Sequence, residues 1–191
     1  MLKGKEAVNY ITRDEYFELE KNSDIKHEFF DGEIFAMSGG TFNHARISGN
    51  TFSTFNVKLR GKCCKPTNSD MRIETPSGLI AYPDAAVYCG EPELTENQCA
   101  LLNPVVIIEV LSPSTRRYDE GGKFALYRSI PSFQDYLLID CEKVFVQHFR
   151  KIEHDEWLLH DYFNLTDSMV IHSIDETLSL NDIYDGIFND G

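Results

Sequence analysis

Val105-Val106-Ile107-Ile108-Glu109-Val110-Leu111, or VVIIEVL, is the most apolar stretch of the chain. It is β-branched and nearly continuous, the pattern of a strand covered on both faces of a sheet, and it reads as the central strand. Strand alternation puts Val105, Ile107, Glu109 and Leu111 on one face. A carboxylate within such a strand must leave water, which costs several kcal/mol unless a cation, a metal ion or hydrogen-bond donors compensate it. A salt bridge to an arginine or an edge position open to water would be a structural answer; a chemical site would be a functional one.

Upstream of this strand, residues 79–89 read as a strand with Pro83 inside it, which confines that position to an edge, a strand start or a bulge. Another strand-like piece covers 71–75, and the polar, acidic segment 90–104 reads as a loop or a short excursion. Further back, Thr12 and Glu15 form a capping box and Ile11 and Tyr16 a hydrophobic staple for a helix over 13–21. Residues 26–30 and 33–37 form a hairpin around Asp31-Gly32, ended by Gly39 and Gly40. A second helix covers roughly 43–60, with Gly61 as its left-handed C-terminal residue.

Downstream, Asp119 can cap a helix that carries Lys123, Phe124, Tyr127 and Ile130 and stops at Pro131. Strands over 135–141, 144–150, 156–163 and 169–173 follow, and 181–188 forms a short closing helix. This order predicts an α/β fold with a mixed β-sheet flanked by helices, in one domain over 1–191 whose core spans about 10–185.

Composition narrows the function. The 191 residues carry 31 acidic and 18 basic side chains, a net charge of −13, which disfavours sliding on nucleic acid through a broad basic surface. Two local basic spots remain: Lys58, Arg60, Lys62 and Lys65 in KLRGKCCK, and Arg116 with Arg117; solvated surface is the alternative for both. No apolar run reaches the ~18 residues of a membrane span and the start lacks a signal-type hydrophobic stretch, so the expectation is a cytoplasmic protein without membrane contact. Five cysteines with no CxxC pair argue against a disulfide framework or a zinc site and read as reduced thiols.

Asp84, at the point where a strand enters the core after Pro83, is the second buried-acid candidate; a turn or capping aspartate is the alternative. Two carboxylates on neighbouring strand ends are hard oxygen ligands of the kind Mg²⁺ takes. His44 reads as a phosphate contact or as a cap, and Lys123 with Tyr127, four residues apart on one helix face, as a catalytic pair or as a solvated lysine beside a core tyrosine. The SPST run at 112–115 lacks the glycine elbow of a serine nucleophile and reads as a strand-to-loop exit.

Tyr82-Pro83-Asp84 followed by Glu109 in an apolar strand resembles the PD-(D/E)xK nuclease superfamily. More specifically, five blocks in order resemble the Uma-type restriction-endonuclease family, formerly a domain of unknown function. They are HEFFDGEIFAMSGG at 27–40, His44 on the following helix, YPDAAVYCGEPE at 82–93, NPVVIIEVLSPST at 103–115 and KFALYRSIPSFQDYLLID at 123–140. The resemblance covers about 10–185 and implies a restriction-endonuclease-like fold and metal-dependent hydrolysis of DNA. It implies Asp84 and Glu109 as ligands of Mg²⁺ or Mn²⁺ with the Val110 carbonyl, and Glu28 as an acid from the N-terminal region. The departure is Leu111, where the superfamily carries its lysine; Lys123 sits at the family's recurrent lysine position and would orient the attacking water. His44, Lys58, Arg60, Lys62 and Arg116 are candidate substrate contacts. A catalytically degenerate binding module is the competing reading, distinguished by whether Glu28, Asp84, Glu109 and Lys123 converge. A homodimer is a mild expectation for an enzyme that cuts both strands, with an edge strand after residue 135 as a candidate contact.

Overall fold

In the computed structural model, residues 10–188 apart from 38, 114 and 154 are described; the rest of the expected domain and Ser114 of the SPST run lie outside them. The stretch 105–111 falls within β8 (Pro104–Leu111), an eight-residue strand of the central sheet. It lies between β9 (Asp135–Asp140), which runs parallel to it, and β6 (Ala85–Cys89), which runs antiparallel. From Val106 onward β8 is buried on both faces, as its unbroken apolar run requires. β10 (Val146–Glu153) and β11 (Glu156–Tyr162) extend the sheet on one side, and β3 (Cys64–Asn68) closes it on the other, in the order β11-β10-β9-β8-β6-β3.

A second, five-stranded sheet packs beside it, with the order β2-β1-β5-β4-β7. Its strands are β1 (His27–Phe30), β2 (Glu33–Ala36), β4 (Arg72–Glu74), β5 (Ile80–Ala81) and β7 (Ala100–Leu101). The expected strand over 79–89 is therefore two strands in different sheets. Proline at 83 cannot donate to a ladder, and the chain changes sheet at Tyr82-Pro83-Asp84. The loop expected over 90–104 contains β7, which pairs parallel with β4.

Two apolar layers flank β8. Val106, Ile108 and Val110 face α2 (Phe42–Lys58), α4 (Leu180–Ile183) and the hairpin of β12 (Ser168–Ile171) with β13 (Glu176–Ser179). Ile107 and Leu111 face Tyr127, Phe133, Tyr136 and the five-stranded sheet's Ile73 and Ala81. The face that carries Glu109 is thus the one between the two sheets. α1 (Arg13–Lys21) has the expected capping box, with the Glu15 N–H donating to Thr12 Oγ1.

Two expectations are corrected. Cys64 and Cys89 are direct partners across β3 and β6 and form a disulfide, leaving Cys63, Cys99 and Cys141 as free thiols. Their 25-residue separation carries no local signal, and the odd count concealed a single pair. Asp119 does not cap a helix. It is buried inside a one-turn π-helix, Tyr118–Lys123, which runs directly into the short α3 (Phe124–Tyr127).

Candidate active site

Three chain segments meet around the Lys123 ammonium. The π-helical turn supplies Lys123 and Asp119 from the same side, β8 supplies Glu109, and β1 supplies Glu28 from the other sheet. Lys123 Nζ is 2.8 Å from Glu28 Oε1, 3.2 Å from Glu109 Oε1 and 3.3 Å from Asp119 Oδ1. Tyr127 Oη donates to Glu109 Oε1 at 2.9 Å, fixing that carboxylate from α3. Wide helical turns of this kind recur at functional sites, and here Tyr136 Oη donates to the Asp119 carbonyl at 3.0 Å and pins the turn from β9. Gly122 belongs to the same device: a Cβ there would stand 2.7 Å from the Tyr118 ring.

Asp84 enters from the sheet-crossing segment. Its Oδ2 accepts the Val110 N–H at 2.7 Å, which ties it to the residue after Glu109, and His44 Nε2 lies 3.6 Å away. His44 reaches it from the first turn of α2, with Gly40 letting the backbone pass close to the imidazole. At 15% side-chain exposure Asp84 is the accessible acid of the group; Glu109, at 4%, is its floor.

Three buried carboxylates share one ammonium, and the electrostatics follow. Burial pushes the Glu109 carboxyl well above the ordinary carboxylate value; Lys123 opposes this, while Asp119, Asp84 and Glu28 add to it. Burial also raises Asp84, and His44 and the Val110 N–H hold it back. For Lys123, burial works against the ammonium, but Glu109, Glu28 and Asp119 outweigh it and hold its pKa well above the usual lysine value. The lysine is therefore a fixed cation. No donor is aligned on Glu28 Oε1 or Asp119 Oδ1, so the cluster retains unused acceptor capacity as well as negative charge.

Among the described residues, no three His, Cys, Asp or Glu side chains are spaced to form a metal cage by themselves. Asp84, Glu109 and the Val110 carbonyl offer a sparser set, two carboxylates and one neutral oxygen. That suits Mg²⁺ or Mn²⁺, which bind through one or two carboxylates and keep waters, and does not suit a soft, fully caged ion. The unspent carboxylate charge beside them is the second feature that fits a cation.

The basic candidates divide. Arg116 is on the site's side of the sheet: its Nη2 pairs with Asp140 Oδ2 at 2.8 Å, and Asp140 stands opposite Leu111 in register. Lys58, Arg60 and Lys62 lie elsewhere, in the last turn of α2 and the link to β3. Cys64 pairs with Cys89 and Asn68 with Ala85, so this stretch is at the end of the β3–β6 ladder away from Asp84; Lys62 pairs with Glu176. Sequence reasoning missed Asp119 as a member of the cluster and gave Tyr127 no role toward Glu109. The signal was present as Asp119, Lys123 and Tyr127 at successive four-residue steps, one face of a helical segment.

Known proteins resemble this chain in sequence and in fold. A family model described as "Uma2: Putative restriction endonuclease" matches residues 13–181. Two relatives come from Synechocystis sp. (strain ATCC 27184 / PCC 6803 / Kazusa). The protein slr1290 is 36% identical over 178 residues, 93% of each chain, and sll1609 is 38% identical over 155 residues, 80% of this chain and 88% of the relative. A crystal structure of a putative nuclease belonging to DUF820 from Anabaena variabilis ATCC 29413 superposes with a TM-score of 0.74. It is 19% identical and covers 91% of this chain and 97% of that one, a likeness of fold. With the family model spanning both sheets, the π-helical turn and all four acids of the site, the chain belongs to the Uma2 restriction-endonuclease family.

Proposed function

We propose that the chain hydrolyses phosphodiester bonds of DNA with the aid of Mg²⁺ or Mn²⁺. The observation that carries this reading is the meeting of Glu28, Glu109 and Lys123, from three distant segments, with Asp84 bonded to the backbone beside Glu109. Asp84, Glu109 and the Val110 carbonyl would hold the cation, whose chemistry when bound is Lewis acidity toward a phosphate oxygen and a water.

Each side chain of the site then has a physical role. Lys123, held as a cation by its acids, serves not as a general base but as a donor that orients the attacking water and offsets negative charge building on the phosphate. It takes the place of the lysine that Leu111 lacks, reaching the same carboxylate from the π-helical turn. Glu28 Oε1, with no aligned donor, accepts a hydrogen bond from that water and turns its lone pair toward phosphorus. Tyr127 fixes the Glu109 rotamer, and His44, beside the exposed acid, is a phosphate contact at the mouth. Divergence of Lys123 from the acids would favour the competing binding-module reading, whereas its Nζ lies 3.2 Å from Glu109 Oε1, which supports the enzyme reading. Two sites across a duplex would come from a homodimer, and cellular DNA as substrate makes the cytoplasm the place of work.

Supercoiled plasmid incubated with the chain and Mg²⁺, Mn²⁺ or EDTA, with single-stranded RNA in parallel, tests the proposal. Metal-dependent nicking, lost at least ~100-fold in Glu109→Gln and in Lys123→Met, is expected from removal of a group that stabilises the transition state. Absence of metal-dependent cutting by the native chain on DNA would contradict it; cutting of RNA alone would move the substrate.

A further inference from the structure

The two edges of the six-stranded sheet are built differently. At one edge, β3 carries Lys65 and Pro66, two residues that discourage another strand from adding. At the other, β11 is seven residues long, Glu-Trp-Leu-Leu-His-Asp-Tyr, with neither lysine nor proline. It shows Leu158 at 46% and Leu159 at 44% exposure, and Phe163 just beyond it is also exposed. Among the described residues no strand pairs with its outer side, and an exposed edge strand of this kind is a template for pairing.

We propose that β11 pairs antiparallel with β11 of a second copy of this chain, about a two-fold axis through Leu159, joining the two central sheets into one. This specifies the surface for the homodimer in the reading above and rests on that part of it alone, not on the chemistry. The register follows from symmetry. A two-fold perpendicular to the sheet keeps each face continuous, so every residue must meet one of its own face. Centring on Leu159 is the arrangement that pairs all of β11. Leu159 then meets itself, Leu158 meets His160, Trp157 meets Asp161, and Glu156 meets Tyr162. No like charges oppose each other, and apolar or aromatic groups face a neutral or apolar partner at two of the four kinds of position. Centring on Leu158 instead would set Asp155 against Asp161 of the other copy. Pairing the full length of the strand therefore sets the register at Leu159, and the charge pattern admits a second copy there, against an overall charge of −13 per chain that salt would screen.

The test is the mass of the full chain in solution, without metal or nucleic acid, by sedimentation equilibrium. The native chain is expected at twice 21.9 kDa. Leu159→Lys and Leu159→Glu, each placing like charges across the axis, are each expected at the monomer mass with unchanged circular dichroism. Mixed in equal amounts they are expected to recover the dimer mass, because the introduced lysine faces the introduced glutamate only where position 159 meets itself. A monomeric native chain overturns the proposal and leaves the edge to a strand of other sequence; a dimer that survives both single variants, or variants that stay monomeric when mixed, overturns this register. Plasmid cutting does not enter the readout, so loss of the nuclease reading and loss of this interface are separate results.

Discussion

Two buried acids near the ends of adjacent, parallel strands have opposite surroundings. Asp140, on β9, is matched: Arg116 holds one oxygen at 2.8 Å and the Glu142 N–H donates to the other at 2.8 Å. Glu109, on β8, is overmatched by its own kind, sharing Lys123 with Glu28 and Asp119 while Asp84 stands beside the next residue. A balanced pair such as Asp140 with Arg116 is what a fold needs to bring a carboxylate out of water. The unbalanced cluster costs stability, and a chain keeps such a cost where charge is to be used. Substitutions in each region, and a change of pH, separate the two experimentally.

The largest effect is expected at Lys123. Lys123→Met leaves three buried carboxylates with no counter-charge, and about 3–5 kcal/mol of unfolding free energy should disappear in urea titrations. The loss should shrink at low pH, where the acids take up protons. Next comes Arg116→Ala, which strands Asp140 with one remaining donor; Arg116 is partly exposed, so the discounted loss is about 1–2 kcal/mol, and the same titration measures it. Plasmid cutting, compared at a temperature where both proteins are folded, should fall far less in Arg116→Ala than in Lys123→Met. Equal stability losses in the two variants would erase the contrast between the regions.

Glu109→Gln should have the opposite sign. It removes one of three acids from the cluster and leaves Lys123 two, so the variant should melt higher than the native chain at neutral pH by the equivalent of about 1 kcal/mol, and should not cut. The smallest effect is a slope. The folded Glu109 pKa is raised well above the ordinary 4.5, so between the two values the native state holds the proton that the unfolded chain has lost. Native stability from this group therefore falls as pH rises from about 4.5 through the folded value, and levels off beyond it. Asp84, raised from 3.8, adds in the same direction. Thermal melts across pH should show the fall in the native chain and a flatter profile in Glu109→Gln.

Much of this was legible in the residues, for reasons particular to each. Glu109 stands out because a carboxylate breaks an otherwise apolar strand, and Asp84 because Pro83 marks the point where the chain leaves one sheet for another. That Pro83 separates two sheets rather than interrupting one strand needed the fold, since a proline reads the same in both cases. Asp119 misleads for a physical reason: an aspartate at the head of a helical pattern matches a capping signal, and only the π-helical turn carries it inward. β3 was invisible because its lysine and proline, suited to an edge, weaken the strand signal. The Cys64–Cys89 bond depends on the register of β3 against β6, which no local pattern encodes.

The central claim is that the acid excess around Lys123 is a cation site opening through Asp84. Calorimetric titration of Mg²⁺ and Mn²⁺ into the native chain and into the double variant Asp84→Asn with Glu109→Gln tests it most directly. One saturable site per chain in the native protein, absent from a double variant that is folded and melts no lower, is the predicted result. Equal binding by both proteins, or none by the native chain, would contradict the claim.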